Sequence, residues 1–176
     1  MILMRLIVIT GMPGSGKEEL LNVASSMNIP FVRMGDVVRE HYGRSDKTLS
    51  VGEFAGKERE LYGTDIWAKR CVEGASGTVF LIDGCRSRDE VMSFKGITED
   101  VTTIAIHTSR KTRFERLVAR GRNDAPADVK EFDERDKREI KWGIAETIVL
   151  SDVMIINEGT LEDFHEKCVT ILEDMR

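Results

Sequence analysis

Seven consecutive residues, Gly11-Met12-Pro13-Gly14-Ser15-Gly16-Lys17, carry the densest chemical signal in the chain. Three glycines bare the backbone so that its N–H groups can wrap a phosphate chain, and Pro13 stiffens the turn between them. A lysine closing such a loop reaches the β- and γ-phosphates of a nucleotide. The chemistry implied is the gripping of a nucleoside triphosphate, ATP with Mg²⁺, at the positive end of a helix. Glu18 follows where this P-loop usually carries a serine or threonine hydroxyl that binds Mg²⁺, and Glu19 stands behind it. The two carboxylates have three readings: they complement the helix dipole by ~0.3–1 kcal/mol, they help hold Mg²⁺, or they repel nucleotide and slow turnover. Backbone N–H groups and Lys17 do most of the gripping, so nucleotide binding with a water-mediated metal contact is the expectation.

Arginine supplies the second signal. Arg110, Arg113, Arg116, Arg120 and Arg122 crowd one helical segment and its exit, and Arg135 and Arg138 follow at i, i+3 on one face of the next. Interleaved acids make a solvated, salt-bridged surface the plain account of Arg110, Arg113 and Lys137. Arg120, Arg122, Arg135 and Arg138 instead flank a loop around 121–128. Planar, always-charged donors carried in by a closing lid at that place would serve a transferring phosphoryl group. Asp83 ends an apolar run, where an acid either orders Mg²⁺ beside the P-loop or caps a helix over 87–94. A lone histidine at a strand end, His107, reads as structural.

These residues need a frame. Apolar runs at 6–9, 28–33, 77–83, 101–107 and 152–157 predict five strands, and the run at 77–83 has the unbroken character of a strand buried on both faces. Gly35-Asp36 predicts a helix start with Asp36 as cap, and residues 37–74 predict helix in pieces, broken near 43–46 and 63–64. Residues 160–175 predict a closing amphipathic helix. Strands alternating with helices throughout imply an α/β fold with a parallel sheet covered on both faces, and ligands beyond the strands' carboxyl ends.

Composition sets the outer bounds. A chain of 176 residues that is 41% apolar suits one domain, 1–176, with a sizeable core. A net charge of −5 argues against a general nucleic-acid binder. No run approaches the ~20 apolar residues needed to cross a bilayer, and the amino terminus has no signal-peptide layout, so a cytoplasmic protein without membrane partners is expected. Cys71, Cys85 and Cys168 lie far apart and form no metal or disulfide pattern; they are expected reduced and partly buried.

With the motifs assembled, the whole chain resembles nucleoside monophosphate kinase-type P-loop NTPases, and within them the uncharacterised archaeal P-loop kinases described as adenylate kinase-related or dephospho-CoA kinase-like. The likeness is carried by the loop at 11–17, by Met34-Gly35-Asp36-Val37-Val38-Arg39, by Ile82-Asp83-Gly84-Cys85-Arg86-Ser87, by 116–122, by 135–139 and by Asn157-Glu158-Gly159-Thr160-Leu161-Glu162. It implies a three-layer fold with a five-stranded parallel sheet, a helical acceptor-binding insertion near 35–75 and a small lid near 120–130. In adenylate kinases a G-D-x-x-R opens the acceptor helices, which carries acceptor binding onto Asp36 and Arg39. Their D-G-F-P-R turn also touches the acceptor phosphate; here the turn reads D-G-C-R-S-R, with Arg86 one residue early and Arg88 one late. Adenylate kinases place Gly-Thr after the P-loop lysine, so a hydroxyl directly after Lys17 is not compulsory, although neither Glu18 nor Glu19 supplies one. The family's lid arginines map onto Arg120 and Arg122, with Arg135 and Arg138 completing the cage. The N-x-G-S/T-L-E close is similar to that of dephospho-CoA kinases, which implies a contact of Asn157 and Gly159 with the nucleotide base. The expected activity is transfer of the γ-phosphoryl of ATP to a nucleotide-like small molecule, with dephospho-CoA kinase-like chemistry as one alternative. Glu18 and Glu19 motivate another, a nucleotide-binding regulator with little turnover; a third is a partner-assisted ATPase acting on RNA or ribonucleoprotein.

Overall fold

Short, β-branched apolar runs joined by helices can bury themselves only as the middle layer of a three-layer stack. The computed structural model describes residues 4–121 and 125–176 and has that arrangement. Strands β1 (Arg5–Thr10), β2 (Phe31–Arg33), β3 (Val79–Asp83), β4 (Val101–His107) and β5 (Val153–Ile156) form one parallel sheet in the order β2-β3-β1-β4-β5. Period-two alternation splits β1 between two cores. Ile7 and Ile9 pack under α1 (Lys17–Ser26) and α9 (Leu161–Asp174), while Leu6 and Val8 face Met34, Trp67 and Phe94 on the other side. Each large side chain wholly buried in these layers contributes about 1.5–3 kcal/mol.

The strand after β1 in the chain is its neighbour on neither side. β1 pairs with β3 (Ile9 opposite Asp83) and with β4 (Ile9 opposite Ile104), so its carboxyl end opens into the crevice at which such sheets bind ligands. Between β2 and β3 the chain makes a helical excursion, α2 (Met34–Gly43), α3 (Val51–Tyr62) and α4 (Ile66–Val72). Its anchor is Trp67, fully buried, whose indole N–H donates to the Ala55 carbonyl at 3.1 Å. The other helices are α5 (Arg88–Lys95), α6 (Arg110–Arg120), α7 (Val129–Lys141) and α8 (Ile144–Val149).

The differences from the sequence reading have local causes. Strand β2 begins at Phe31, three residues later than the apolar run, because Asn28 has φ 57° and Ile29 N–H donates to the Ala24 carbonyl, closing α1. Asp36 is not a cap: α2 starts at Met34, two residues before it, and Asp36 sits in the first turn. Helix α5 is capped by Ser87 in a reciprocal capping box with Glu90, which removes the capping alternative for Asp83. The closing helix has Thr160 as its cap. Cys71, Cys85 and Cys168 are free and buried. No helix among the described residues is long and apolar enough to cross a membrane.

Candidate phosphate-binding site

The P-loop lies where β1 turns into α1, and its shape requires the glycines. Gly11 has φ 152°, and a Cβ there would stand 2.6 Å from the Ile106 carbonyl oxygen and 2.7 Å from Ser15 Oγ. Gly16, with φ 104°, is the N-cap of α1 and offers no capping side chain, so the first N–H groups of the helix stay open to an anion. The loop is held from beneath. Asn157 Nδ2 donates to the Ser15 carbonyl at 2.9 Å, and Thr108 Oγ1 donates to the same carbonyl at 3.0 Å. From the side, Arg113 donates to the Pro13 carbonyl at 3.1 Å and forks onto both carboxylate oxygens of Asp136 at 3.0 and 2.6 Å. Arg113 and Asp136 are buried, and the guanidinium lies over the Phe132 ring. The expectation that Arg113 is an ordinary surface arginine is therefore corrected: it ties the P-loop to α7.

Above the loop opens a cavity of about 400 Å³. Lys17, Glu18, Asp83, Arg39, Arg86, Arg120 and Arg135 all line it, from sequence positions far apart. Lys17 Nζ donates to the carbonyls of Gly11 at 2.7 Å and Met12 at 3.3 Å. Burial lowers its pKa, against the pull of the Asp83 and Glu139 carboxylates. Asp83 is raised by burial, partly offset by Lys17, Arg86 and Arg33. Its Oδ1 is buried without a hydrogen-bond partner, and so is Ser15 Oγ. A buried, unpaired carboxylate oxygen beside a partly desolvated ammonium is costly unless a ligand completes it.

These observations fit a phosphate chain with Mg²⁺. The ammonium and open helix N-terminus suit the phosphates, and the Asp83 oxygen suits a hard cation or its waters. Among the described residues no group of three or more His, Cys, Asp or Glu side chains could cage a metal by itself. That is the expected chemistry for Mg²⁺, which takes one or two carboxylates and leaves the rest to phosphate and water.

The remaining assigned residues divide. Glu18 pairs with Arg33 at 2.7 Å, the arginine that ends β2, and Glu19 pairs with His165 at 2.6 Å. Arg86 is tethered by Glu139, its Nε donating at 2.7 Å, while Nη1 donates to the Gly84 carbonyl at 3.0 Å. Burial opposes ionisation of Glu139, but the Arg86 charge and hydrogen bond outweigh it and hold the carboxyl below its ordinary range. Arg39 lines the cavity and pairs with Asp36, which does not line it. Arg138 lines the adjoining chamber instead. Asn157 is 4% exposed with its amide spent on the loop's underside, and Gly159 lines a separate depression beside α9, so neither borders the cavity. Arg122 lies outside the described residues. His107 is exposed at the end of β4, consistent with a structural histidine.

Four residues at the site were given no role in it from sequence: Arg33, Arg113, Arg116 and Glu139. Arg33 had a readable signal, since it ends a strand in a fold whose ligands sit at strand ends. Arg116 lines the cavity and donates to Thr108 Oγ1 and the Asn157 carbonyl, at 3.3 and 3.2 Å. Glu139 looked like any other acid on a charged helix.

Residues 7–141 match a family model described as an AAA domain. A UPF0200 protein of Thermoplasma volcanium is 40% identical over 173 residues, spanning 96% of this chain and 97% of the relative. Among solved structures, a shikimate kinase from Bacteroides thetaiotaomicron is similar with a TM-score of 0.66 at 18% identity, covering 97% of both chains. A gluconokinase from Sinorhizobium meliloti is similar with a TM-score of 0.61 at 14% identity, covering 99% of this chain and 95% of that one. At these identities the two kinases speak for the fold, a P-loop kinase fold.

Proposed function

Since this chain belongs to the archaeal UPF0200 family and has a P-loop kinase fold, we propose that it is an ATP-binding phosphotransferase acting on a nucleotide or nucleotide-like small molecule. The observation that carries this reading is the cavity in which Lys17, the unpartnered Asp83 oxygen and six arginines from five separate segments meet. A site that only held a nucleotide would need the loop and the lysine. Arginines on the far wall are what a second, phosphate-bearing reactant requires.

In this reading the loop N–H groups and Lys17 bind the β- and γ-phosphates. Mg²⁺, ordered through Asp83, supplies charge neutralisation between those phosphates when bound. Arg39 and Arg86 fix the acceptor, with Glu139 holding the Arg86 fork in one orientation. The bond between the γ-phosphorus and its bridging oxygen breaks as an acceptor oxygen forms its own, and ADP leaves. Arg120 and Arg135 stabilise the charge spread over the moving group, with Arg122 assigned to the same cage; Arg138, expected there, lines the adjoining chambers instead and is assigned to the acceptor's side. We assign acceptor binding to the α2–α4 excursion, about 35–75, and a water-excluding lid to about 120–130, within one domain. The direct base contact expected of Asn157 and Gly159 is not part of this assignment; Asn157 acts through the loop it supports.

The test is ADP production from Mg-ATP against the nucleoside monophosphates, nucleosides and dephospho-CoA, with a no-acceptor control. A rate that rises with one acceptor names the substrate. A slow rate indifferent to all of them would leave an ATPase or a regulator. Arg120→Ala should lower kcat by about 10²-fold with little change in the KM for ATP, because its donor counts mainly in the transition state. An unchanged kcat would remove Arg120 from the catalytic group.

The environment of Glu18 favours transfer over the regulator reading. Its pairing with Arg33 compensates the charge that would otherwise repel nucleotide. The pair is part-exposed, and such pairs contribute ~0–1 kcal/mol. Glu18→Ser should therefore change kcat/KM by less than about fivefold. A large gain of transfer in that variant would identify the glutamate as a brake.

A further inference from the structure

The phosphate cavity does not end at Arg39 and Arg86. Both residues also line a second chamber of about 480 Å³, which in turn shares Gly52, Arg59, Arg138 and Trp142 with an outer chamber of about 690 Å³. The three form one trench between α3 and α7. Along α7 the cations recur near turn spacing: Arg135 at the inner cavity, Arg138 at both outer chambers, Lys141 at the last. A rise of 1.5 Å per residue carries the trench ~9 Å from Arg135 to Lys141.

Not every charge in the trench is available. Arg59 is committed to the fully buried Glu90 at 3.3 Å and to the face of Trp142. Arg86 is held by Glu139. Of the outer acids, Glu53 accepts from Ser50 in the capping box of α3 and also feels the Arg138 charge, Asp89 accepts from Thr64 Oγ1 at 2.6 Å, and Glu60 lines the same chamber. Arg138 and Lys141 are exposed side chains facing the outer chamber.

The α3 wall opposite carries Glu53, Lys57, Arg59 and Glu60, with two bare positions among them. Gly52 and Gly56 stand at i, i+4 inside α3, where glycine is destabilising relative to alanine. Neither needs a positive φ; a Cβ on Gly56 would meet nothing within 4 Å, and one on Gly52 would come no closer than 3.7 Å, to Arg138. Backbone geometry and packing therefore do not account for them. Room along the trench does.

Resting on the kinase reading above, we propose that the acceptor is an elongated nucleotide-like molecule with a second phosphate: its reactive end lies at Arg39 and Arg86, its body crosses Gly52 and Gly56, and the second phosphate is bound by Arg138 and Lys141. Arginine forks and a lysine point charge are the groups that recognise such an anion. A compact acceptor would leave the outer chamber unused.

The experiment compares each of the four nucleoside 5′-monophosphates with its 3′,5′-bisphosphate in the ADP assay, on the unaltered protein and on Gly56→Leu. Leucine at this helical position should not impair folding, and it fills the trench floor far from the P-loop. At least one bisphosphate is expected to have a KM tenfold or more below that of its monophosphate. In Gly56→Leu that advantage should vanish while ATP affinity stays unchanged. Monophosphates used as well as bisphosphates for every base, or an advantage that survives Gly56→Leu, overturns the proposal while leaving the kinase reading intact. Bound ATP with no acceptor of either kind raising ADP production overturns both.

Discussion

Lys17→Met is expected to lower kcat/KM for ATP by about 10³–10⁴-fold while the protein keeps, or slightly gains, thermal stability. The loss has two parts. A charge-assisted hydrogen bond to a phosphate contributes ~1.5–3 kcal/mol of binding, and a donor aimed at the charge of the transition state contributes a further ~10²–10³ in rate. The stability argument runs the other way. The Lys17 ammonium is desolvated, its pKa is pulled down by burial, and in the free protein it has two loop carbonyls as hydrogen-bond partners and the charges of Asp83 and Glu139 to oppose that pull. A methionine of similar length removes that desolvation cost. Isothermal titration with ATP, beside a thermal melt, separates the two effects. Retained ATP affinity would sink the phosphate-gripping role; a large fall in melting temperature would mean that Lys17 holds the loop together by its carbonyl contacts.

Glu139→Gln acts on the other wall. Removing one partner of a buried ion pair leaves an uncompensated charge, at a cost of about 3–5 kcal/mol. Arg86 retains some access to the cavity, with its side chain 23% exposed against 7% for Glu139, so the low end, about 3 kcal/mol, is expected at pH 7. The pH dependence follows from the sign of the shift. The folded-state pKa of Glu139 lies below the ordinary 4.5, so its contribution is complete above that value and is lost as pH falls through the folded pKa. The gap in urea midpoint between the two proteins should therefore be constant near neutrality and close on acidification below about 4.5. Equal midpoints at pH 7 would show that Arg86 does not depend on this carboxylate.

Much of the frame was readable because the signals are local. The strand at 101–107, the run at 77–83 that holds β3, the two breaks in the helical excursion and the closing helix follow from periodicity, glycine placement and capping residues within a few positions of each other. The P-loop was readable for the same reason, since its seven residues carry their own backbone geometry and the strand and helix on either side. Asp83 could be placed at the candidate site because it ends a strand, whereas Arg39 and Arg86 were legible only through the resemblance of their segments to adenylate kinase motifs.

What the sequence by itself determined, then, was a parallel α/β sheet built around a glycine-rich P-loop that ends in Lys17. Burial and pairing across the chain were decided only by the tertiary structure. Arg113 and Arg110 stand three residues apart on one helix with similar neighbours, yet Arg113 is buried against Asp136 and the loop while Arg110 is exposed beside Asp133. Asn157 resembled a base contact by its motif, but the position of β5 beside β4 brings its amide under Ser15. Glu139 and Arg86 are separated by 53 positions and meet because α7 crosses the carboxyl edge of the sheet. No local rule can report such meetings. Charged residues of one kind look alike along a chain, and their roles diverge only when the fold removes water from some of them and leaves it around the others.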